Sequence, residues 1–215
     1  MLSIIQAAGW PIWPLIACSV VALALIIERF VQLRPGRIQP EGLADEVIAA
    51  TRQGLPSEEA LSRLGEDSAL GGVLAAGLRA VAADPRAPEP ALRQALERAG
   101  RDAVHALQRN LNALGTIASA APLLGLLGTV IGMIEIFASQ APGTSGGNPQ
   151  QLAHGISIAL YNTAFGLIVA IPALMFHRHF RTRVEAHRLG LEREAERVLP
   201  HLVRLSGSVR SGTGA

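Results

Sequence analysis

Thr129, Thr163 and Glu135 are the side chains best placed for chemistry, and the reason is their setting. They fall in residues 110–176, a stretch of 67 positions with one formally charged side chain at pH 7, Glu135 itself. A threonine beside a narrow wet cavity can relay a proton through water without carrying charge. It can equally return its hydroxyl hydrogen to the carbonyl three or four residues earlier. Both uses stay open for Thr129 and Thr163, and Thr116 could make the second. Glu135 is an ionisable group at membrane depth, costly there and so a functional candidate by default. Its place near the end of an apolar run also lets it reach the interface, or accept a hydrogen bond from Asn162, Tyr161 or Gln151 of a neighbouring helix. His154 is a further candidate partner, and such a pair would titrate near neutrality.

Small residues surround these groups at helical spacing. Ala118, Ala121, Gly125, Gly128, Thr129 and Gly132 form one broad face; Gly155, Ala159, Thr163, Gly166 and Ala170 form another. In lipid, packing rather than water exclusion holds helices together, so such faces predict close helix–helix contact through the glycines. Pro122 and Pro172 each remove a backbone donor and are expected to bend their helices, as neighbours or water in a membrane allow. The sequence shows no glycine-rich nucleotide loop, no Cys/His metal spacing and no base beside Ser119 or Ser157. No enzyme, cofactor or metal site is expected. His177-Arg178-His179 marks the end of an apolar run, and the single cysteine, Cys18, lies inside another.

Three apolar runs must position these residues: Trp10 to Ile27, Leu111 to Phe137 and Leu152 to Phe176. Each reaches the roughly 20 residues needed to cross about 30 Å of hydrocarbon as a helix. The first has no basic residue before it and no cleavage site after it, so it reads as an uncleaved span with Trp10 and Trp13 at the outer boundary. All 19 basic residues are arginines. Ten lie in residues 31–110 and eight after Phe176, whereas Ser139 to Gln151 has none. This asymmetry predicts both charged regions in the cytoplasm and the N-terminus outside. Eleven acidic residues balance the arginines of 31–110, which argues against a nucleic-acid partner.

The expected organisation is an N-terminal segment and first span over 1–33, a cytoplasmic helical region over 34–110, and a second span over 111–138. A periplasmic loop over 139–151, a third span over 152–176 and a cytoplasmic tail over 177–215 complete it. Short helices are predicted around Leu43 to Ile48, from Pro56-Ser57-Glu58-Glu59, and over Leu70 to Ala83. One long helix is predicted from about Glu89 to Ala138, half of it a cytoplasmic stalk whose apolar stripe implies bundling with copies of itself. The third span is expected to begin near Gln151 and continue toward Pro200, with Ser206 to Ala215 a disordered end.

Ala121-Pro122-Leu123-Leu124-Gly125-Leu126-Leu127-Gly128-Thr129-Val130-Ile131-Gly132-Met133-Ile134 resembles the second-helix signature of the ExbB/TolQ/MotA proton-channel family. Gly155-Ile156-Ser157, Ala159-Leu160 and the run from Thr163 to Ala173 resemble its third. The resemblance covers nearly the whole chain and is strongest to ExbB. It implies an all-α integral membrane protein of the bacterial inner membrane that assembles as a homopentamer. The pentamer would surround the single helices of an ExbD-like dimer and, through a TonB-like transducer, use the proton motive force to energise outer-membrane transport. Thr129 and Thr163 match the family's pathway threonines. Many members carry glutamate where this chain has Ile158, leaving Glu135 the one candidate acid of the stretch. A TolQ-like envelope-maintenance subunit and a non-conducting membrane scaffold are the alternatives.

Overall fold

The computed structural model describes residues 10–139 and 149–212. Among these, every regular element is helical: α1 (Ile12–Gln32), α2 (Pro35–Ile38), α3 (Leu43–Ala50), a 3₁₀ turn (Thr51–Gln53), α4 (Glu58–Asp67), α5 (Ala69–Ala83), α6 (Glu89–Ser139) and α7 (Pro149–Gly212). Three of them, α1, α6 and α7, are long and apolar enough to cross a membrane. At 1.5 Å per residue, the 21 residues of α1 extend about 31 Å, the thickness of the hydrocarbon layer. The chain is therefore a multi-pass, all-α membrane protein with long helical extensions.

Two compact units divide it. One comprises Met1–Arg29 and Asn110–His179; the other comprises Phe30–Arg109 and Phe180–Ala215. In the first, Leu15 of α1 is fully buried against Ala121 of α6 and Val169 and Ala170 of α7, with Cys18, Ile117, Leu124 and Phe165 packed around them. Exposed Leu123, Ile134, Ile168 and Ile171 show that much of this unit's surface is hydrocarbon. Such a surface suits lipid or other helices rather than water.

The second unit has an apolar core centred on α5. Leu70, Val73, Leu74, Leu78 and Val81 are buried there with Leu92 and Leu96 of α6 and with Leu191, Val198, Leu199 and Leu202 of α7. At 15 residues, α5 is too short to span a bilayer despite its apolar sequence. Its start is fixed by Ser68, whose Oγ accepts from the Gly71 N–H at 2.9 Å. The same device starts α4, where Ser57 Oγ accepts from the Ala60 N–H. A Cβ on Gly77 would lie 2.7 Å from Leu96 Cδ2 and from Leu202 Cδ1, so α5 meets two neighbours whose side chains would have to shift to admit a methyl group.

Two boundaries differ from the sequence reading. α7 begins at Pro149 rather than Gln151, and it runs past Ser206 to Gly212. Leu202 and Leu205 still belong to the core there, and Ser206 is buried with its hydroxyl donating to the Val203 carbonyl at 2.9 Å. Packing thus extends a helix that composition alone would end. The expected interfacial segment before Trp10 and the loop after Ser139 lie outside the described residues.

Candidate functional site

The glycines of α6 and α7 set the register of their antiparallel contact. A Cβ on Gly166 would lie 2.6 Å from the Ala121 carbonyl oxygen, and one on Gly125 would lie 2.8 Å from the Asn162 carbonyl oxygen. Gly128 faces Asn162 itself, Gly132 faces Ala159, and Gly155 faces Ile136. Main chain therefore meets main chain, the close approach that small residues permit in lipid.

This register decides which way the polar side chains turn. Successive residues step about 100° around a helix. From the centre of the row facing its partner, Thr129 on α6 and Thr163 on α7 are each turned about 70° in the same sense. In an antiparallel pair that brings both threonines to one side. Glu135 is turned about 50° the other way. Ile117, Leu124 and Phe165, which pack with α1, are turned as Glu135 is. The threonines thus occupy the side of the pair away from α1, alongside exposed Leu126, Leu160 and Leu167.

The two hydroxyls are held differently. Thr129 Oγ1 donates to the Leu126 carbonyl at 2.6 Å, leaving its lone pairs to accept. Thr163 Oγ1 is buried and has no hydrogen-bond partner among the described residues. Thr116, Ser119 and Ser157 bond back to the carbonyls of Asn112, Gly115 and Ala153 at 2.9, 3.0 and 2.9 Å. Of these five hydroxyls, Thr163 is the one with no acceptor among the described residues.

Of the candidate partners of Glu135, Asn162 and Tyr161 are among the described residues. Asn162 is buried against Gly128, seven residues or about 10 Å along α6 from Glu135, too far for a hydrogen bond within the chain. Tyr161 is exposed at a similar depth. The side chains of Gln151, His154 and Ile158 lie outside the described residues. Glu135 is itself exposed, and among the described residues no hydrogen bond or ion pair engages it.

At the other end of this unit, Asn110 Nδ2 donates to both carboxylate oxygens of Glu28, at 2.8 and 2.9 Å, and Arg29 lies 3.6 Å from the same carboxylate. The ring of His177 covers Gly115, whose added Cβ would be 3.0 Å from Nε2. The sequence reading missed the Glu28–Asn110 tie. Its signal is an acid and an amide, each standing where an apolar run meets a charged one. Among the described residues no group of three metal-ligating side chains converges.

Comparison with known proteins agrees with this architecture. A family model described as the MotA/TolQ/ExbB proton channel family matches residues 66–193. Biopolymer transport protein exbB1 of Vibrio cholerae is 33% identical over 170 residues, covering 79% of this chain and 74% of its own length. An ExbB-like biopolymer transport protein of Synechocystis, ExbB-like 3, is 35% identical over 183 residues, 82% of this chain and 83% of its own. The Tol-Pal system protein TolQ of Haemophilus influenzae is 36% identical over 106 residues, 48% of this chain and 46% of its own.

Proposed function

Because the chain belongs to the MotA/TolQ/ExbB proton channel family, and is a channel-family protein rather than an enzyme, we propose that it is the stator subunit of an ExbB–ExbD type motor. Five copies would surround the single helices of an ExbD-like dimer in the bacterial inner membrane. The N-terminus would be periplasmic, the C-terminus cytoplasmic and the outer faces bathed in lipid. Proton flow past Thr129 and Thr163 would drive the enclosed dimer and, through a TonB-like transducer, energise outer-membrane transport.

The observation that carries this reading is the common side of the two threonines. The helix pair is sealed by glycine on one axis and covered by α1 on another, while both threonines stand on the remaining side, where another subunit or an enclosed helix would lie. Thr163 has the stronger role because its buried hydroxyl meets no acceptor among the described residues, leaving its hydrogen to a partner carboxylate or to a water admitted on assembly.

The test is proton flux into vesicles carrying the chain with its single-span partner. Thr163→Val keeps the shape and should lower flux at least about tenfold, the loss of about 1.4 kcal/mol of barrier stabilisation. Thr129→Val, whose hydroxyl is already committed to Leu126, should lower it less. Unchanged flux in both variants, with the complex intact, would leave a non-conducting scaffold. The TolQ relative makes an envelope-maintenance client the second reading; rescue of cell-envelope integrity instead of TonB-dependent uptake would favour it.

A further inference from the structure

In the unit formed by Phe30–Arg109 and Phe180–Ala215, one stripe of α7 follows the connector that leaves the first span. Its members, His187, Gly190, Glu194, Arg197 and His201, recur at alternating steps of three and four, a single helix face. His187 donates to the Leu33 carbonyl. Gln39 lies against the bare main chain of Gly190, Asp45 pairs with Arg197, and Thr51 bonds His201. The connector from Leu33 to Thr51 is thus held at both ends by imidazoles.

Both rings are buried, at 9% and 8% exposure, and Thr51 is fully buried. Thr51 Oγ1 lies 2.7 Å from the Val47 carbonyl oxygen and 2.7 Å from His201 Nε2, so its hydroxyl ties the ring to the end of α3 in either neutral tautomer. The charged groups facing His201 are Arg52 on the 3₁₀ turn and Arg204 on α7, both cationic. His187 faces Arg183, beside a cavity of about 370 Å³ lined by Glu41, Glu194 and Arg197. Burial, then nearby arginine, pushes His201 below its ordinary value; burial does the same for His187 against the pull of the Leu33 carbonyl.

We propose that His187 and His201 form an acid-released clasp: their neutral rings hold the Leu33–Thr51 connector onto α7, and acidification of this unit's surroundings lets the connector go. The clasp stands on the packing of this unit alone. That its opening follows proton delivery through the channel rests on the function proposed above.

Hydrogen exchange of the full chain in lipid nanodiscs tests it without any need for conduction. Between about pH 7.5 and about pH 5.5, after correction for intrinsic rates, amides of residues 43–51 should exchange about tenfold faster, while residues 92–103 of α6 stay unchanged. The His187→Gln/His201→Gln double variant, which keeps amide donors but cannot titrate there, should lose the pH step. A flat wild-type profile overturns the clasp, as does an equal rise in residues 92–103 or a step that persists in the double variant. If the double variant fails to fold, the wild-type rings decide by their NMR titration. Rings that charge without any change in exchange at residues 43–51 also overturn it. Loss of flux with the clasp intact would instead count against the channel reading.

Discussion

The same two helices, α6 and α7, pack by different physics in the two units. Between Ala118 and Ala170 the contact is glycine on main chain: Gly125 against Asn162 and Thr163, Gly166 against Ala121. In the other unit, leucines of both helices fill a core around α5, and arginine–glutamate pairs lie outside it, such as Arg93 with Glu89 at 3.1 Å and Arg188 with Glu192 at 2.6 Å. Lipid rewards leucine no more between helices than outside them, so close fit must supply the attraction. Water rewards burial of each leucine by about 1.5–3 kcal/mol, and the exposed ion pairs add little.

The largest effect should come from forcing the second kind of packing onto the first. Gly166→Leu puts a side chain where a Cβ alone would stand 2.6 Å from the Ala121 carbonyl oxygen and 3.2 Å from Gly125 Cα. Neither backbone atom can step aside, so the helices must separate; overpacking of about 3 kcal/mol or more is expected, seen as loss of folded protein on gel filtration. Gly100→Ala is the contrasting substitution. Nothing lies within 4 Å of the added carbon, and the change should raise the thermal midpoint slightly, by about 0.5–1 kcal/mol of helix propensity. Equal damage from both would erase the distinction between the units.

Next comes Leu202→Ala, which empties a fully buried position beside Gly77. A loss of about 2–5 kcal/mol is expected in denaturant unfolding, confined to the unit around α5. Exchange protection should fall in residues 69–83 and stay constant around Gly125. Acid should act on the same unit more gently. His187 and His201 are depressed in the folded state, so between their folded values and the ordinary value of about 6.5 the unfolded chain binds more protons. Their contribution to stability is complete above that value and declines as pH falls through it. Thermal melts from neutral to mildly acidic pH check the sign, and a midpoint that rises on acidification would contradict it.

Much of this was legible in the sequence because local rules and global packing agree. Ser57 sits where a cap belongs, the apolar runs have bilayer length, and the glycine rows mark a close contact. What stayed hidden depends on register. Thr129 and Glu135 can be placed about 240° apart from spacing alone, but which of them faces away from α1 follows from Gly128 meeting Asn162 and Leu15 meeting Ala121. The clasp was hidden for a related reason. His187 and His201 are two among many polar residues on this part of α7, and only the path of the Leu33–Thr51 connector gives their spacing a meaning. Ser206 shows the opposite error, a polar residue whose burial is set by Leu202 and Leu205 nearby.

Glu135 should give the smallest effect, and its size sharpens the contrast within the membrane unit itself. It is the single formal charge of residues 110–176, yet it is exposed and turned away from the threonine side. A carboxylate so placed reaches water or a headgroup rather than the proposed threonine relay, so Glu135→Gln, which keeps its size, should change proton flux less than about threefold and leave the thermal midpoint within about 0.5 kcal/mol. Thr163→Val measured in the same vesicles supplies the scale. If Glu135→Gln instead abolished flux as completely as Thr163→Val, the division into two sides would be broken. The proton would then have to cross between subunits, from one copy's carboxylate side to the threonine side of the next.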